Sequence, residues 1–241
     1  MDNPWERIPA SGDFVLAEDL ELVLAFNKAL ENDSMKDNLS AERKKDILDR
    51  KLDVTLPPNP FAGFHDAPLV VLLANPGMHD GDVIQKEPQN ATKLLDCIQK
   101  PGGSPVIWLT NDGRDLSKNR WWINKTTELA EIAGGSEELA RKMLVVELHG
   151  YHSVKWSPPM RNFPSQEYSF SLVESAIERD VPIILAKCAR HWLASVPKLG
   201  NHEKLLNLSS TRQAALSSNN ILDRNGSKEK GFALVKEALK K

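Results

Sequence analysis

Four apolar runs punctuate this chain, and each stops abruptly at polar residues. Leu69-Val70-Val71-Leu72-Leu73 is unbroken, the pattern of a strand buried on both faces of a parallel sheet. Met143 to Val146, Val181 to Ala186 and the shorter Leu205 to Leu208 repeat that pattern. Between and around them the spacing turns helical. Leu20, Val23, Leu24 and Phe26 share a face of a helix over Ala17 to Ala29, with Glu18, Glu21 and Lys28 outside. Further helices are expected over Ser40 to Leu52 with Ser40 as N-cap, Ala91 to Gln99, and Arg120 to Ile132 with a stop at Gly134-Gly135. Others are expected over Ser136 to Lys142, Phe170 to Arg179, just after Lys187, and over Gly231 to Lys241. Strands alternating with helices predict an α/β fold, three layers (α/β/α) around a four-stranded, mainly parallel sheet. Residues 1–56 read as an N-terminal helical extension and residues 57–241 as the α/β domain.

The segments between are less regular. Leu56-Pro-Pro-Asn-Pro-Phe-Ala-Gly resists regular structure and is either a fixed loop beside a site or a linker. Gly102-Gly103-Ser104 breaks the chain, and Val106 to Leu109 reads as a short extended piece. Trp121, Trp122 and Leu129 are core by default, with a ligand cleft as the other reading.

Composition narrows the class. A chain of 241 residues with 41% hydrophobic and 27% charged residues supports one sizeable domain. A net charge of −2 argues against a strongly basic nucleic-acid coat but leaves room for a small basic face. Two cysteines, Cys97 and Cys188, cannot supply the four thiolates of an iron–sulfur cluster and read as reduced thiols. No apolar stretch reaches membrane-spanning length and the acidic N-terminus is unlike a signal peptide. A cytoplasmic monomer with no membrane contact is the expectation. Gly-x-x-x-x-Gly-Lys and Gly-x-Ser-x-Gly are both absent, which removes the commonest nucleotide-binding and hydrolase alternatives.

Polar residues just past strand ends are the candidate chemistry, because open α/β sheets bind ligands there. The first run ends in Leu73-Ala74-Asn75-Pro76-Gly77, which is either a plain turn or a site. The second ends in His149, Tyr151, His152 and Ser153, and the fourth in Asn207-Leu208-Ser209-Ser210-Thr211-Arg212. His149-x-x-His152 with Cys188-x-x-His191 would make a four-ligand zinc site if two strand ends adjoin, but neither pair sits in a metal motif. No metal and no cofactor is the expectation.

A strand running into Asn-Pro-Gly resembles the first active-site motif of the uracil-DNA glycosylase superfamily, in its mismatch-specific uracil and thymine branch. That branch has Gly-Ile where this chain has Leu73-Ala74, and Leu208 stands where the family's second motif has Pro. The resemblance spans roughly Ala67 to Asn220 by order of elements. It implies a monofunctional glycosylase that flips a pyrimidine from DNA and leaves an abasic site. Asn75 would place the attacking water. Gly77, His79, Tyr151, His152 and Ser153 would meet the base, while Asn207, Ser209, Ser210 and Arg212 would hold DNA, with Leu216 or Gln213 wedging the stack. The uracil-specific branch has a Tyr where Gly77 stands, so the resemblance further implies room for a C5 substituent, as in anti-phage members that remove bulky modified cytosines. The alternative is a non-catalytic α/β module of the same fold that binds nucleic acid or another ligand.

Overall fold

The computed structural model describes residues 1–116, 120–212 and 214–240. Among the described residues seven strands, β1 (Phe61–Phe64), β2 (Leu69–Leu72), β3 (Gly103–Ser104), β4 (Met143–Val146), β5 (Ile183–Leu185), β6 (Leu205–Leu208) and β7 (Ile221–Leu222), form one sheet in the order β3-β1-β4-β2-β5-β6-β7. The four apolar runs are its parallel centre, with Leu72 level with Val146 and Leu185, and Ile184 level with Leu206. The expectation of four strands falls short by three. β1, β3 and β7 are short antiparallel additions to the edges, two of them only two residues long. Their sequence is too brief to show a period, and β1 emerges directly from the proline-rich segment.

Side chains of the central strands alternate between two cores. Val70, Leu72, Leu144, Val146, Ile183 and Leu185 pack on one side with α1 (Leu20–Ser34), α7 (Gln166–Glu178) and α8 (Ala189–Ser195). Val71, Leu73, Val145, Ile184 and Leu206 face α5 (Thr127–Ala133), α6 (Ser136–Lys142) and α9 (Lys228–Lys240). Helices therefore cover both faces of the sheet. The remaining helices are α2 (Ala41–Leu48), capped by the Ser40 hydroxyl accepting from Arg43 N–H, α3 (Pro88–Gln99) and α4 (Trp121–Lys125). The single helix expected from Arg120 to Ile132 is two. It breaks at Thr126, whose hydroxyl donates to the Trp122 carbonyl, and ends as expected at left-handed Gly134. Ile107–Leu109 is a 3-10 turn, not an extended piece.

Residues 1–56 do not form a separate layer. Trp5, Leu16, Val23, Phe26 and Leu52 belong to the same buried cluster as the first face of the sheet, so no break in packing falls at residue 57. The proline-rich segment is a fixed loop: Glu147 N–H donates to Pro60 O and Asn59 N–H to Gly150 O. Gly150 permits that approach, since a Cβ there would sit 2.9 Å from Trp5 and 3.0 Å from Pro60. Among the described residues no helix is long and apolar enough to cross a membrane.

Candidate active site at the carboxyl ends of the central strands

From β2 the chain travels to β4 on one side, and from β5 it travels to β6 on the other. Neighbouring strands whose connections diverge leave a crevice beyond their carboxyl ends. A cavity of about 420 Å³ lies there, within the ~300–1,000 Å³ usual for small-molecule sites. Leu73 to Gly77 line it from β2, Glu147 and His152 from β4, and Lys187 and Cys188 from β5. Trp108, Trp121, Trp122 and Trp156 supply aromatic wall. Trp121 and Trp122 stand edge to face, 4.8 Å between centroids. Both readings for this tryptophan pair hold, since it lines the cleft and packs against the second core.

Asn75 is half-buried, and its amide is held in one orientation. Nδ2 donates to Ser153 Oγ at 2.9 Å, to Pro76 O at 3.1 Å and to Tyr151 O at 3.3 Å. Ser153 Oγ in turn donates to Lys155 O at 2.9 Å, so toward Asn75 it is an acceptor. That chain of donors and acceptors assigns nitrogen to the wall. Oδ1 is the end left for a ligand or a water. Trp192 fixes the same strand end from below, its indole N–H donating to Leu73 O at 2.7 Å.

The other expected base-contact residues divide. Gly77 and His79 line the cavity and are exposed. Ser153 is buried and acts through Asn75. His152 lines the cavity but has its ring between two carbonyls, Nδ1 3.0 Å from Gly77 O and Nε2 2.9 Å from Pro57 O. Burial pushes its pKa down and those carbonyls oppose the shift. It braces the loop more than it meets a ligand. Tyr151 does not line the cavity. It is 1% exposed, donates to Asp19 Oδ2 at 2.6 Å and packs on Trp5 and Phe163.

Glu147 and Lys187 escaped the reading of the sequence, although each directly follows an apolar run, the signal that singled out Asn75; Cys188, one residue further on, entered it only as a reduced thiol and as half of a candidate zinc pair. Glu147 is 5% exposed and its Oε2 has no hydrogen-bond partner. Burial pushes its pKa well above the ordinary 4.5, favouring the protonated acid. Gln85 Oε1 and Trp156 Nε1 are likewise buried without partners, and both residues line the same cavity. Cys188 opens α8 from a left-handed conformation. Burial, and then the nearby Glu147, push its thiol up to about 12, so it is no thiolate nucleophile at neutral pH. His149 is buried beside Phe163, and burial lowers its pKa to about 3. Among the described residues no group of three or more His, Cys, Asp or Glu is placed to hold a metal.

The loop after β6 flanks the cavity without lining it. Ser209, Ser210 and Arg212 are exposed, and Asn207 is half-buried on β6. Asn220 braces the loop: its Oδ1 accepts from Ser209 Oγ and Ser210 N–H, both at 2.8 Å. Lys187 joins it to the cavity by donating to Thr211 O. Leu216 cannot wedge a base stack. It is 2% exposed in the second core, with its N–H bonded to Lys125 O. Gln213 lies outside the described residues.

No protein-family model matches the chain, and neither a curated protein nor a solved structure does.

Proposed function

We propose that this protein is a monofunctional DNA glycosylase that hydrolyses the N-glycosidic bond of a flipped pyrimidine and leaves an abasic site. The observation that carries the reading is Asn75, set past the end of a central strand with its amide nitrogen tied to the wall and Oδ1 left for water. An amide oxygen accepts a hydrogen bond but takes no full proton cheaply, so Asn75 orients the water and the sugar's oxocarbenium character drives the attack. The tryptophan walls offer the stacking surface an extruded base needs, and the hydroxyls and Arg212 beside Thr211 suit phosphate contacts. The Asn-Pro-Gly resemblance to the uracil-DNA glycosylase superfamily agrees with the role of Asn75.

The test is base release. DNA carrying uracil, mismatched thymine or hypermodified cytosine is incubated with the protein, then alkali reveals abasic sites. At least one substrate should yield them, and Asn75→Ala should lose about 100-fold or more in rate while melting like the wild type. No abasic product from any substrate would leave a binding module of the same fold. Lys187 in the cavity wall sharpens the second arm, since the sequence shows no lysine beside Asn75 along the chain. Its amine already donates to Thr211 O, so borohydride should trap no protein–DNA adduct. An adduct that vanishes in Lys187→Met would make the enzyme a lyase acting through a Schiff base.

A further inference from the structure

Resting on the glycosylase reading, we infer that Glu147 is the proton donor to the departing base, and that the substrate class is cytosine and its C5-substituted derivatives. Glu147 Oε2 is buried and has no partner. A buried carboxyl oxygen without a hydrogen bond is destabilising, and here it belongs to a residue that lines the same cavity as Asn75. Register explains how the two meet. Glu147 follows Val146, which is level with Leu72, and it has the parity of Val145, on the side of the sheet that Leu73 faces. Gln85 Oε1 and Trp156 Nε1 add an unpaired acceptor and an unpaired donor to the same walls. Unpartnered polar atoms on three residues that line one cavity fit a ligand that supplies the missing partners.

The leaving group then selects the base. Uracil and thymine leave as anions that their two carbonyls stabilise. Cytosine has one carbonyl and an amino group, and it leaves readily only when N3 takes a proton. A neutral carboxylic acid offers N3 an O–H and offers the 4-amino group its carbonyl oxygen. As the C1′–N1 bond breaks, its electron pair passes to the base and the Glu147 proton moves to N3. The water held by Asn75 adds its oxygen to C1′ and releases a proton to solvent, and Glu147 regains one when the base departs. After transfer the carboxylate faces two donors, N3–H and N4–H. Uracil could also pair with the protonated acid, through O–H to O4 and the carbonyl oxygen from N3–H, but it leaves as a stabilised anion and has no need of the proton. Burial favours the protonated starting state that this sequence requires.

The experiment compares wild type and Glu147→Gln under single-turnover conditions. Matched duplexes carry cytosine, 5-hydroxymethylcytosine, glucosylated 5-hydroxymethylcytosine or uracil at one position. Wild type should release at least one cytosine-type base, and Glu147→Gln should slow that release about 100-fold. The wild-type rate should fall with rising pH as Glu147 ionises. His79, Asp82, Arg120, His152, Lys187 and Cys188 line the same cavity, so the variant assigns the limb: a fall that persists in Glu147→Gln belongs to one of them and overturns the proposal. Release of only uracil or thymine would also overturn it and leave the glycosylase reading standing, as would full activity of the variant on cytosine-type bases. No release from any duplex would remove the glycosylase reading, and this inference with it. Should the variant fail to fold, the wild-type profile decides, and a rate that stays flat or rises toward alkaline pH sinks the acid role.

Discussion

Gly77 is outside the left-handed region, and a Cβ built on it would meet nothing within 4 Å. The turn therefore does not demand glycine, and the space beside it belongs to the cavity. Gly77→Tyr should abolish release of bases with a C5 substituent and spare an unsubstituted one. Equal loss of both would show that the open slot does not select the base. Glu147 makes a prediction of a different kind. Its folded pKa is raised, so between pH 4.5 and that higher value the native state binds the proton and the unfolded state does not. Stability from this group is thus fully present below about pH 4.5 and is lost as pH rises. Glu147→Gln should match wild type in acid and become relatively more stable by up to about 1.4 kcal/mol per pH unit above that point, read from melts across pH. A constant offset would mean that Glu147 ionises in the native state as it does when unfolded. His149 acts in the opposite direction. Its depressed pKa of about 3 against 6.5 removes stability as pH falls through that interval.

At the scale of elements, the loop after β6 is where phosphate contact is expected. Arg212→Ala should weaken DNA binding equally across sequences and reduce the magnitude of the salt slope by about 0.9. A changed base preference with an intact slope would make the loop a reader of bases. The four parallel strands were legible because each is an apolar run, interrupted in the fourth by Asn207, and Asn75 was legible because it ends the first. The same rule applied at Glu147 and Lys187 would have found two more walls of the cavity. A glutamate one residue past a strand, however, reads as ordinary strand-end solvation until its burial is known. Tyr151 failed for another reason: the partner that claims its hydroxyl, Asp19, lies 132 residues away. β3 and β7 are two residues each and have no pattern to read. The proline-rich loop was ambiguous because its anchors, Glu147 N–H, Gly150 O and the His152 ring, depend on strands not yet assembled.

For the whole molecule, the first 56 residues complete the core under the site. A fragment of residues 57–241 would expose the face that Trp5, Leu16, Val23 and Phe26 cover, and leave Tyr151 Oη and Ser165 N–H without Asp19. It should show no cooperative melt by circular dichroism. A fragment that melts near the full chain would mean that the N-terminal segment is dispensable. The link itself runs through few atoms. Asp19 accepts from the Tyr151 hydroxyl and from Ser165 N–H, and the Tyr151 carbonyl accepts from Asn75. In the language of hydrogen exchange, this makes the start of α1, the stretch after β4 and the Asn-Pro-Gly turn one opening unit. The amides of Leu16, Ser153 and Ser165, held by Tyr151 Oη, Pro76 O and Asp19 Oδ1, should become deuterated at a common rate. Asp19→Asn should speed all three together, so that a change buried beneath the sheet is read out at the turn that holds the attacking water.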